Sequence, residues 1–175
     1  MEKILADERF ENLHASATGL RSLVRLRLHP KERLHELARV LTNKKQNDNL
    51  KQDLWDYTTL LDQYLESSDA NQRAAAKGDD LTDWIATIES PDGSGLNFAL
   101  ERWQATRADT WLIAALSQVE ASHEKTGELI SHALNVKPTA AAFASARFHA
   151  VRLLMESGKN DEARTLVGRP LRHES

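Results

Sequence analysis

The chain has 175 residues, 41% hydrophobic and 28% charged, with a formal net charge of −3. That balance excludes a low-complexity or wholly disordered chain and leaves enough apolar surface to bury a core unaided. The absence of cysteine excludes a disulfide framework, thiolate metal ligands and a thiol nucleophile.

No apolar run approaches the ~20 residues that span a bilayer, and residues 1–9 lack the apolar centre of a secretory signal. A soluble protein is expected, cytoplasmic rather than periplasmic or secreted unless the chain belongs to a longer precursor.

Phe10, Leu13, Ala17, Leu20 and Val24 recur at helical spacing, which predicts a helix over 7–28 with its apolar stripe buried. Residues 24–28 alternate like a strand, but a lone strand would leave its backbone groups unpaired. Pro30 suits the first turn of a second helix, with Leu34, Leu37, Ala38 and Leu41 inside and Asn43 as its stop. After a polar linker over 44–48, Asn47 or Asp48 is placed to cap a third helix over 48–66. Its seam is Leu50, Leu54, Tyr57, Leu61 and Tyr64, with Trp55 off to one side. Residues 67–78 are expected to be a linker, or a short exposed helix. Asp79 or Asp80 then caps a helix with Leu81, Trp84, Ile85 and Ile88 inside. Ser90-Pro-Asp-Gly-Ser-Gly95 forms a turn, and Ser94 caps a helix burying Leu96, Ala99, Leu100 and Trp103.

From 108 to 170 the sequence plans two helical hairpins in tandem. Trp111, Ala114, Ala115 and Val119 face Ile130, Ala133 and Leu134. The next helix, 140–157, carries Phe143, Ala146, Ala150, Leu153 and Leu154 on one side, and Phe148, Val151 and Met155 on another. Apolar residues on two sides predict a helix sandwiched between neighbours. No segment has a paired-strand pattern, so the fold expected is all-α: antiparallel helical hairpins in an α-α superhelix. Its parts are an N-terminal helical region (1–66), a linker (67–78) and a hairpin region (79–175), or one continuous domain.

Leu154, Gly158, Glu162 and Ala163 in the second hairpin, and Ile130, Ala133, Leu134 and Pro138 in the first, stand at the spacing of tetratricopeptide repeats. These are helix–turn–helix units of roughly 34 residues, and the stretch 108–170 resembles that family. The resemblance implies a non-enzymatic protein-interaction or scaffolding module, as in segments of longer bacterial helical-repeat proteins. It also implies a protein or peptide partner held on the concave face of each unit's first helix. Carried over by position, that face is Trp111, Ala115 and Gln118 in one unit and Phe148 and Arg152 in the next. Packing of Trp111 and Phe148 against a preceding helix is the competing explanation.

Other chemistry finds thinner support. The histidines lack the spacing of four that places two metal ligands on one helix face, so neither a metal nor a cofactor is expected. Asp53/Asp56 and Asp80/Asp83 each put two carboxylates on one helix face near a tryptophan, an alternative helical hydrolase. Asp92-Gly-Ser-Gly95 lacks the lysine and the preceding strand of a phosphate loop. The cations of 21–45 offer a nucleic-acid alternative without interleaved aromatics. The opposing explanation is that this basic stretch faces the acidic stretch 50–101.

Overall fold

Helix-forming leucine and alanine dominate the periodic segments, and the glycines and prolines fall largely between them. A computed structural model, which describes residues 1–43 and 49–168, accordingly shows eleven α-helices, two 3-10 turns and no strand among those residues. The helices are α1 (Glu2–Leu5), α2 (Glu11–Leu28), α3 (Pro30–Thr42), α4 (Leu50–Leu65), α5 (Ala70–Ala76), α6 (Asp80–Ile88), α7 (Leu96–Thr106), α8 (Asp109–Gln118), α9 (Thr126–Leu134), α10 (Phe143–Glu156) and α11 (Asn160–Gly168). The expected linker 44–48, with its caps Asn47 and Asp48, lies outside the described residues. Contacts divide the chain into two compact units, Met1–Asp83 and Trp84–Ser175. The segment 67–78, expected as a linker or a short exposed helix, contains α5, capped by Asp69 and packed on α4.

In the first unit α3 is the common support, packing on α2, α4 and α5. Leu34, Leu37 and Ala38 are buried against Tyr57, Leu60, Leu61 and Tyr64 of α4. The Tyr57 hydroxyl pairs with Thr82 Oγ1 at 3.0 Å. Two expectations change here. The seam of α4 holds only in its second half: Leu50 and Leu54 are 53% and 50% exposed, and Asp56 is buried in their stead. The cause is Arg33, itself buried, whose guanidinium reaches Asp53 at 3.0 Å, Glu36 at 3.3 Å and Asp56 at 3.7 Å. A buried cation without carboxylate partners is strongly destabilising, so the pairing sets the rotation of the helix. The stripe of α2 is likewise not interior, since Ala17 is its sole buried residue.

The second unit is built around α8, which packs on α7, α9 and α10. Trp111, Ala114, Ala115 and Leu116 have no exposed surface. Phe98 meets Trp111 edge-on at 5.6 Å, and Arg102 lies over its ring at 5.2 Å. Small side chains on facing helices, Ala99, Ala133, Ala146 and Ala150, let the backbones approach closely. Ser94 is not the cap of α7; that position belongs to Gly95. A Cβ there would lie 2.7 Å from the Thr87 carbonyl oxygen, so only glycine lets the turn fold back onto α6. At the other end Gly158 (φ +74°) closes α10. Its N–H donates to Met155 O at 3.0 Å and that of Lys159 to Leu154 O at 2.8 Å, a Schellman ending.

Trp111→Ala is expected to cost about 4 kcal/mol of stability, the scale for removing a fully buried tryptophan. Trp55→Ala, at a residue 70% exposed, should stay within about 0.5 kcal/mol. Denaturation followed by circular dichroism checks both.

Candidate interaction site

Helix α8 ends inside its unit, where its last carbonyl oxygens have no partner of their own. One of the sequence-selected residues, Arg152, supplies the donor. Arg152 Nη2 donates to Leu116 O at 2.8 Å and Val119 O at 3.3 Å, while its Nη1 holds Glu156 at 2.9 Å. A cation at a helix C-terminus also answers the negative end of the helix dipole. Gln118 Nε2 donates to Ile88 O at 3.1 Å and Ser90 O at 3.4 Å, tying α8 to the turn after α6. Both side chains are internal clamps.

Trp111 and Ala115 are fully buried, so no partner reaches either in this conformation. Of the proposed binding face, Phe148 alone is open, at 65% exposed with its ring edge-on to His149. The structure therefore does not assemble Trp111, Gln118, Phe148 and Arg152 into one accessible surface.

A different surface takes shape beside Phe148. Val151 and Met155 of α10 face Ala163, Arg164 and Val167 of α11 across an open groove of about 370 Å3. Met155 and Val167 are 58% and 72% exposed. The second apolar side of α10 is the sequence signal for this groove: α10 packs on α8 and α9 on one side and on α11 on the other, and α11 leaves Met155 exposed.

The rival sites resolve into structural roles. Asp53 and Asp56 are engaged with Arg33, and Gln52 Nε2 donates to Asp56 at 2.7 Å. Asp83 accepts the Gly78 N–H at 3.1 Å, a helix-capping bond, and Trp84 Nε1 donates to the Thr110 carbonyl at 2.7 Å. In the basic stretch Arg25 pairs with Glu36 at 2.8 Å and Arg39 lies 3.8 Å from Asp79, the residue that also holds His35. The Arg39–Asp79 pair and the bonds of Arg33 to Asp53 and Asp56 join the basic stretch to the acidic one, whereas Arg25–Glu36 lies within the basic stretch. Among the described residues no group of three His, Asp or Glu converges as a metal site.

His149 connects this region to pH. Its Nδ1 is buried without a hydrogen-bond partner in the structure. Burial first, and the charge of Arg152 second, hold its pKa below the usual histidine value.

No family model matches the chain, and no curated protein or solved structure matches it with significance.

An unfolded histidine gains its second proton near pH 6.5, whereas the folded His149 resists it until lower pH. Below about 6.5 the unfolded chain thus binds more protons, and stability falls as pH falls. His149→Gln should flatten the pH dependence of the melting temperature between about pH 7 and 5 relative to the parent chain.

Proposed function

We propose that the second unit is a non-enzymatic, tetratricopeptide-like repeat module that recognises a protein partner, and that the partner presents an amphipathic helix to the α10–α11 groove. The observation that carries this reading is the groove itself. It is an apolar concavity between α10 and α11, with Met155 of α10 and Val167 of α11 exposed along it. An apolar helix face with anchors at i, i+3 or i+4, and i+7 fits such a trough.

The repeat reading draws support from the order of packing. Each of α7 to α10 packs on its successor, and α8 packs on α10, the next-but-one contact expected of stacked hairpins. Leu154, Gly158 and Ala163 serve the roles that the resemblance implies: buried leucine, left-handed turn glycine and buried small residue. Arg152 and Gln118, implied as partner contacts, are reassigned to clamping α8, and the binding face moves to the outer side of the last hairpin.

Selection against a displayed library of amphipathic helical peptides tests the proposal. Enriched peptides should share helically spaced apolar anchors and lose at least tenfold in affinity to Met155→Glu. Arg164→Ala, at an exposed groove residue, should change affinity less than that. Failure to enrich any peptide, or peptides indifferent to Met155→Glu, would refute the groove as the binding surface.

A further inference from the structure

We propose that α2 docks the first unit onto an anionic lipid surface, lying in the plane of the membrane interface. Helix α2 has 18 residues and buries only Ala17. Leu13, Leu20, Leu23 and Leu28 remain 44%, 53%, 47% and 70% exposed. At 100° per residue Leu13, Leu20 and Leu23 share one outward face with Ser16 and Arg27. A helix of this length draws little stability from its backbone alone, so a face with several exposed leucines calls for an apolar phase to meet it.

Charge selects which phase. Residues 12–31 contain Arg21, Arg25, Arg27 and Lys31 and no carboxylate. Arg21 is held loosely by Glu2 at 3.5 Å and Arg25 by Glu36 at 2.8 Å. No ion pair forms on Arg27 or Lys31 among the described residues. Exposed leucines flanked by arginine and lysine are the pattern of helices that lie in an anionic bilayer interface.

An acidic protein helix would satisfy the same cations, but the cleft beside α2 disfavours it. That cleft, about 600 Å3, is lined by Arg21, Leu23 and Leu26 and by Arg33 with the carboxylates of Glu36, Asp53 and Asp56. An acidic segment laid along it finds the cations of the cleft already engaged by carboxylates, Arg33 by Glu36, Asp53 and Asp56 and Arg21 by Glu2, whereas a planar lipid surface meets the outer face with Arg27. Among the described residues no helix is long and apolar enough to cross a membrane, so the contact is superficial.

The test is co-sedimentation of the full chain with vesicles of phosphatidylcholine plus phosphatidylserine, against vesicles of phosphatidylcholine alone. Binding is expected only with phosphatidylserine, and it should weaken as salt is raised. Leu20→Glu combined with Leu23→Glu should abolish it while the circular dichroism spectrum is kept, because both side chains are exposed. Arg27→Glu should weaken it by roughly twenty-five-fold, two charge units at about fivefold each. The proposal fails if neither vesicle binds, if both bind equally, or if the doubly substituted chain still sediments. It also fails if polyglutamate, rather than phosphatidylserine, is what the chain captures.

Discussion

The C-terminus of α8 is the constraint on which the second unit depends. A helix that ends in an interior leaves carbonyl oxygens that cost free energy unless donors reach them. Arg152 comes from α10 to do this, and Gln118 turns back to the carbonyls that close α6. The two clamps fix α8 against the helices on either side, and Trp111 fills the space between Phe98 and Arg102. With α8 locked, α10 has one face buried at Ala146, Ala150 and Leu153 and the other turned outward. The outward face is the one we propose for recognition.

The first unit follows a different logic. Its α3–α4 contact combines an apolar patch at Leu34, Leu37, Tyr57 and Leu61 with the charged knot of Arg33, Asp53 and Asp56. Such a knot adds specificity of rotation more than net stability, because the desolvation of each charge offsets much of the attraction. The cost appears at the surface. Turning Asp56 inward turns Leu50, Leu54 and Trp55 outward.

Helix existence was legible in the sequence, because apolar periodicity and turn chemistry are local. Gly158 and Pro30 mark their helix ends as their backbone preferences demand. Helix rotation was less legible. The 4-3-4-3 spacing in α4 pointed Leu50 and Leu54 inward, and nothing local to α4 reveals that an arginine from α3 competes for that position. The same limit explains Trp111. Aromatic and arginine residues are prominent both in interfaces and in clamped cores, and a one-dimensional pattern does not distinguish an arginine bonded to interior carbonyls from one that meets a partner. Phe148 is exposed on α10, whereas the groove is lined by residues of both α10 and α11 brought together across a turn.

Hydroxyl-radical footprinting of the free chain most directly tests the central claim, that α8 is sealed while the outer side of α10 is open. Met155 and Phe148 should be modified readily, and Trp111 should be protected while Trp55 is oxidised. Oxidation of Trp111 as fast as Trp55, or protection of Met155 and Phe148 in the free chain, would contradict the account.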